Sequence, residues 1–401
     1  MRRPELDYVL STMLESQPEV SDLLFTVDKP PQVEAYGELK PVALEPPIEK
    51  LTPFQTELIA LNLVGDNLWH LTDLIRRGSC DTAYTLADKA RFRINIFAQR
   101  GNHSIVSRKL NTVIPTLEWL RFPEIIREIP REKTGLVLVT GATGSGKSTT
   151  LAAVLNEINH TKPVHIITLE DPVEFVHPHD KATFNQRELG TDFDTFSNGL
   201  RAALRQAPKI ILVGEMRDRE TVKIALSAAE TGHLVLSTLH TVDAGQTINR
   251  ILGMFETEEQ EQVRARLADT LRWVISQRLV PRADTGRYAL LEIMGSNLRT
   301  QETIRLGESE GKSFYEIVEA SQPFGWRTFD YSALEAYEQG KITEETALLY
   351  CTKRGPVLRG IDNLKKARGE ATHSLSSLRM KSGLDSKNGA QPSIPATLKL
   401  K

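Results

Sequence analysis

The stretch GATGSGKS, residues 141 to 148, fits the spacing G-x-x-x-x-G-K-S at Gly141, Gly146, Lys147 and Ser148. Glycines at those positions let the backbone turn so that its N–H groups converge on phosphate oxygens. A helix beginning at the lysine adds a partial positive charge at the same point. Lys147 is then placed to reach the β- and γ-phosphates, and the Ser148 hydroxyl to act as a Mg²⁺ ligand. Thr143, Gly144 and Ser145 complete the loop, and Thr149 follows on the helix. The chemistry these residues suit is binding and hydrolysis of ATP with Mg²⁺.

Carboxylates surround this cradle in the sequence. LEDPVEF places Glu170, Asp171 and Glu174 just after a predicted strand, where ligands of parallel α/β sheets sit. Three acids beside a triphosphate repel it unless Mg²⁺ or arginines compensate, and one of them is expected to orient the attacking water. KIILVGEMRD, 209 to 218, is a further apolar strand ending in a glycine and an acid. P-loop proteins usually carry an aspartate there; the longer Glu215 is expected to reach the Mg²⁺ through a water molecule. Gly214 leaves room for that approach, and Arg217 and Asp218 are expected to pair with each other. His233 and His240 bracket the strand HLVLST. About 20 Å separates the ends of such a strand, so they serve different groups. His240, at the carboxyl end, is the candidate sensor of the γ-phosphate; His233 is expected to be structural or to face an interface.

The elements that position these residues alternate. LVLVT, VHIITL, KIILV and HLVLST read as buried strands, separated by helices such as Lys147 to Asn159 and RETVKIALSAAE. That order predicts a mainly parallel sheet covered on both faces. The chain before about Thr116 differs. Leu6, Val9, Leu10, Met13 and Leu14 recur at helical spacing, and FRINIF alternates Phe92, Ile94 and Ile96 with Arg93 and Asn95. A small α+β module is expected at 1–116, a linker at 117–134 and the nucleotide-binding unit with a helical C-terminal part at 135–368. The Ser-, Lys- and Gly-rich stretch 369–401 is expected to be disordered.

Bulk composition narrows the partners. With 50 basic and 52 acidic residues the net charge is −2, so no general electrostatic footprint for nucleic acid or anionic membrane exists. Aromatics make up only 6% of the chain and none clusters with basic residues near the core loops, which disfavours a nucleic-acid translocase. Cys80 and Cys351 match no zinc or redox spacing. No apolar run reaches membrane-spanning length, and a soluble cytosolic protein without direct membrane insertion is expected.

GATGSGKSTTLAA, LEDPVEFVH, VGEMRD, AAETGH and STLHT, in this order, resemble the Walker A loop, Asp box, atypical Walker B and His box of the secretion and pilus-motor ATPases. The likeness runs from SDLLF near Ser21 to about Asn363, and is strongest to the type IV pilus retraction branch, PilT and PilU. The resemblance implies a PAS-like N-terminal domain joined to a RecA-like C-terminal domain, assembled as a homohexamer. It implies Glu174 as the base, Glu215 on the Mg²⁺ side, and Arg93, Arg100 and Arg108 closing over the ATP phosphates from the same or a neighbouring subunit. It also implies a place at the cytoplasmic side of the inner membrane, at the pilus base, against a membrane platform protein. The retraction branch carries AIRNLIRE near its C-terminus, where this chain has QETIRLGE and keeps Ile304, Arg305 and Glu308. That form, with RQAP and QRLVP, looks more like PilU, whose motors act with a PilT-type partner ATPase. An accessory ring that binds ATP with little turnover is the alternative.

Overall fold

In the computed structural model, residues 3–87, 89–110 and 113–372 are described; the expectation for 373–401 lies outside them. Strand β1 is Val20–Phe25, β2 Gln32–Ala35, β3 Glu38–Pro41, β4 Ser79–Leu86, β5 Ala90–Gln99 and β6 Asn102–Leu110. They form an antiparallel sheet in the order β3-β2-β1-β6-β5-β4. The alternation in FRINIF does what a half-buried strand requires: Phe92, Ile94 and Ile96 are fully buried while Arg93 is exposed. The opening helix, Arg3–Glu15, turns Leu6, Leu10 and Met13 into the same core. The helices Pro53–Val64 and Leu68–Arg77 add to it, the first started by a capping box between Thr52 and Gln55.

The second sheet contains β7 (Gly135–Thr140), β8 (His165–Glu170), β9 (Thr183–Glu188), β10 (Ile210–Val213), β11 (Leu234–Leu239), β12 (Leu271–Pro281) and β13 (Arg287–Gly295). Its order is β13-β12-β7-β11-β10-β8-β9. The pairings from β12 through β9 are parallel, and only β13 runs against its neighbour. Every residue of β7, β10 and β11 is buried, which is why they read as unbroken apolar runs rather than alternating ones. The sequence did not reveal β9: TFNQRE is mostly polar and lies on the sheet edge, where pairing to β8 rather than burial makes it a strand. Past Gly295 the described chain is helical, and Phe329, Ala333, Val357 and Ile361 pack with Val280 and Leu290 at the far end of β12 and β13.

The two sheets meet at defined contacts. Asn67 Nδ2 donates to the Gly190 carbonyl at 3.0 Å, and His70 Nε2 lies 3.3 Å from the Thr191 hydroxyl. Gly190 has φ +76°, and a Cβ there would stand 3.0 Å from the His70 ring, so only glycine fits without displacing the imidazole.

Candidate functional site

β7 ends at Thr140 and the helix Lys147–Thr161 begins immediately after the glycine loop. Gly141, Gly144 and Gly146 all have positive φ, the conformation that aims successive N–H groups inward. At Gly141 a Cβ would meet the Gln277 carbonyl and Ser145 Oγ, both at 2.5 Å, whereas at Gly144 and Gly146 it would meet nothing within 4 Å. The first glycine is thus required by packing against β12, and the other two leave the mouth of the loop open. Gln277 contributes twice, since its side-chain amide also donates to Thr150 Oγ1 on the helix at 2.8 Å. The Ser145 hydroxyl is buried and has no protein partner, a donor placed inside a loop whose shape suits an anion.

Lys147 is buried, and its ammonium donates to the carbonyls of Gly141 and Ala142, 3.0 Å each. Burial pulls its pKa down, while Glu215 and Glu174 pull it up. Both acids therefore lie within electrostatic reach of the lysine, although 27 and 68 residues separate them from it in sequence. Ser148 is exposed at the start of the helix.

Glu215 follows β10. Its carboxylate pairs with Arg217 at 2.7 Å and lies 3.4 Å from His240 Nε2. Burial opposes ionisation of Glu215, yet the Arg217 hydrogen bond and charge, aided by His240, hold its pKa below the usual carboxylate value. Two expectations are corrected here. Arg217 pairs with Glu215 and not with Asp218, because Asp218 turns the other way to cap the helix Arg219–Glu230 through the Thr221 N–H at 2.8 Å. The space above Gly214 is taken by backbone: a Cβ would lie 3.0 Å from the Leu169 carbonyl, to which the Gly214 N–H donates. The glycine lets β8 approach; it does not clear a path for a metal. Thr238 on β11 completes the turn by donating its hydroxyl to the Gly214 carbonyl at 2.6 Å.

The three acids at the end of β8 and just beyond it separate into different roles. Glu170 turns inward and accepts from the Thr168 hydroxyl at 2.6 Å and from the Gln186 amide at 3.1 Å. Burial pushes its pKa up to about 7 against those hydrogen bonds, so it is a loop anchor and not, as expected from sequence, an acid at the nucleotide's edge. Asp171 is raised by burial, while Arg93 lowers it. Arg93 of the N-terminal sheet therefore does approach the second sheet within one chain. Glu174 is partly exposed beyond β8.

The remaining candidates are dispersed. Arg108 is ion-paired to Asp22 at 2.9 Å, across the β1–β6 pairing. Arg100 lies in the turn after β5, seven residues beyond Arg93 and roughly 25 Å further along the strand direction. His233 stands at the opposite end of β11 from His240, and its Nδ1–H donates to the Ala228 carbonyl at 3.0 Å, a local tie. Sequence reasoning missed Arg91, Gln186, Glu188 and Gln277. Of these only Arg91 carried a signal, since it shares the polar face of its strand with Arg93.

Glu292 on β13 is also buried and accepts from the Ala244 N–H at 2.8 Å, at the start of the helix Ala244–Leu252. Burial raises its pKa to about 7. A carboxyl raised on folding favours the folded state at low pH and loses that contribution as pH rises through the folded value. Glu292→Gln keeps an acceptor without the charge. Its stability relative to the natural chain should rise by on the order of 3 kcal/mol between about pH 4 and pH 8. Urea unfolding across that range reads the slope; a pH-independent difference would contradict the burial argument.

A glycine loop between a parallel strand and a helix, acids past the ends of other strands of the same parallel sheet and a buried lysine define a P-loop ATPase with a RecA-like core. The type II/IV secretion system protein family model matches residues 87–322. The chain is 38% identical to the type IV pilus ATPase PilU of Pseudomonas aeruginosa, over 86% of this chain and 88% of that protein. It is 40% identical to the PilT retraction ATPase of the same organism, over 82% and 93%. A crystal structure of the pilus retraction motor PilT with bound ADP superposes with a TM-score of 0.78 at 40% identity, covering 88% of this chain and 98% of that one. The chain belongs to this family of secretion ATPases and, within it, to the branch of the type IV pilus ATPases PilT and PilU.

Residues of the QETIRLGE segment have local partners. Ile304 is buried, Arg305 pairs with Asp269, and Glu308 accepts from the Phe314 N–H at 2.8 Å. Among the described residues no helix is long and apolar enough to cross a membrane.

Proposed function

We propose that this chain works as a Mg²⁺-dependent homohexameric motor for pilus retraction, turning a platform protein at the cytoplasmic side of the inner membrane. The observation that carries the reading is that Glu174, beyond β8, and Glu215, beyond β10, lie within electrostatic reach of Lys147 after β7, with His240 3.4 Å from Glu215 at the end of β11. In this reading Lys147 exchanges its two carbonyl partners for phosphate oxygens, and Glu174 accepts the proton of the attacking water. Arg217 and His240 hold the Glu215 carboxylate in place and ionised. Among the described residues no cluster of three His, Cys, Asp or Glu could hold a metal unaided. Ser148 and a water-bridged Glu215 suit a Mg²⁺ that is also bound by phosphates. Bound there, Mg²⁺ would neutralise charge on the β- and γ-oxygens.

Arg93 lies near Asp171 and suits closure over the phosphates in its own chain. Arg100, on the distal end of its hairpin, and Arg108, held by Asp22, suit contact from a neighbouring subunit. The domain limits 1–116, 117–134 and 135–368 fit the end of β6 at Leu110 and the start of β7 at Gly135.

The test is phosphate release by the purified protein with Mg²⁺ and ATP, beside a Lys147→Ala control. Release well above that control is expected. Nucleotide binding without release would favour an accessory ring that assists a PilT-type ATPase, a reading supported by the 38% identity to PilU, and the assay repeated with such a partner would then show stimulation.

A further inference from the structure

The backbone of Val173, the residue before Glu174, is held by groups from different sheets. Its carbonyl accepts from Arg91 Nε, on β5 of the N-terminal sheet, at 3.0 Å. The Val173 N–H donates to Glu188 Oε2 at 3.1 Å. That same Glu188 oxygen takes Arg91 Nη2 at 2.7 Å, and both side chains of this pair are largely buried, 16% and 12% exposed. Gln186, two residues before Glu188 on β9, holds the rest of the loop by accepting from the His177 N–H and donating to the Phe175 carbonyl, 2.8 Å each.

Three of these contacts come from within the second sheet and its loop and persist however the two sheets sit. The two Arg91 contacts do not. A guanidinium whose Nε serves the Val173 carbonyl while Nη2 serves Glu188 is a fork of fixed geometry, and a displacement of about 1 Å takes such hydrogen bonds out of range. Arg91 is also bonded to Thr85 Oγ1 on β4 at 2.8 Å, so its head is tied to its own sheet and follows that sheet.

We infer that Arg91 is a positioning residue for hydrolysis: through its fork on Val173 and Glu188, the N-terminal sheet orients the peptide that carries Glu174. Turnover in a subunit then depends on how its own two sheets are docked, and only the docked arrangement aims the Glu174 carboxylate. The inference rests on Glu174 acting as the base. Arg91 itself touches no reacting atom.

The experiment is a double-mutant cycle between Arg91→Gln and Glu174→Gln, read by kcat, KM and affinity for a fluorescent ADP analogue. Arg91→Gln is expected to lower kcat by about tenfold or more, with KM and ADP affinity within about twofold. In the Glu174→Gln background the same change should alter the residual rate by less than about twofold, because the group it positions is already gone. Equal fold losses in both backgrounds, or a wild-type kcat for Arg91→Gln beside an inactive Glu174→Gln, would overturn the positioning role and leave the base intact. Wild-type turnover by Glu174→Gln would instead remove the base assignment and this inference with it. If Arg91→Gln does not fold, Glu188→Gln keeps an acceptor for the Val173 N–H while removing the charge that holds Arg91, and should show the same loss confined to kcat.

Discussion

Glu174→Gln is expected to lower kcat by roughly 10²- to 10⁴-fold, the usual worth of a positioned general base. Nucleotide affinity should stay within about twofold. Glutamine has the size of glutamate and can still accept a hydrogen bond from a water, but it cannot take the proton. The loop should not shift, because its anchors are backbone groups: the Val173 N–H on Glu188 and the Val173 carbonyl on Arg91. The phosphate-binding parts, Lys147 and the glycine loop, belong to β7 and the helix after it and are untouched. Removing a negative charge near Lys147 also takes away a source of repulsion for the triphosphate, so any change in affinity should be toward tighter binding. Phosphate release and titration with a fluorescent nucleotide check the two halves separately. A loss of less than tenfold would assign the water to another group, with Glu215 the next candidate by position.

The second large effect is Lys147→Ala, which should abolish binding and turnover together, with kcat/KM lower by about 10³-fold. Two carbonyls, Gly141 and Ala142, now share this ammonium, and the truncation leaves both without that donor. Glu174 and Glu215 would then face the phosphates without the cation between them. Repulsion of this kind acts on the ground state as well as the transition state, so KM should rise as kcat falls. The contrast with Glu174→Gln is the informative part. A variant that binds but does not turn over and a variant that does neither separate the proton-accepting group from the charge-neutralising one. Normal nucleotide affinity in Lys147→Ala would show that the backbone N–H groups suffice to hold the phosphates.

The glycine loop was legible because its parts are contiguous: eight residues contain the turn, the lysine and the helix start. The buried strands β7, β10 and β11 were legible for the same reason, each being a short apolar run with all residues inside. Glu215 could be found because it ends such a strand. Its partner could not: Arg217 and Asp218 are adjacent, and only the helix beginning at Arg219 decides that Asp218 is spent as its cap. Likewise Glu170, Asp171 and Glu174 are alike as letters. The Thr168 hydroxyl and the Gln186 amide turn the first of them inward, and Gln186 arrives by a parallel pairing of β9 that its polar sequence does not announce.

The sequence by itself therefore determined the nucleotide class, the cradle and the acids around it, since these depend on residue type and on spacing over a few positions. Tertiary structure decided which of the acids is turned inward and what holds the loop that carries the others. Arg91 and Glu188 are 97 residues apart, and neither belongs to a motif. Their meeting depends on two sheets docking, a long-range packing event that no local periodicity encodes.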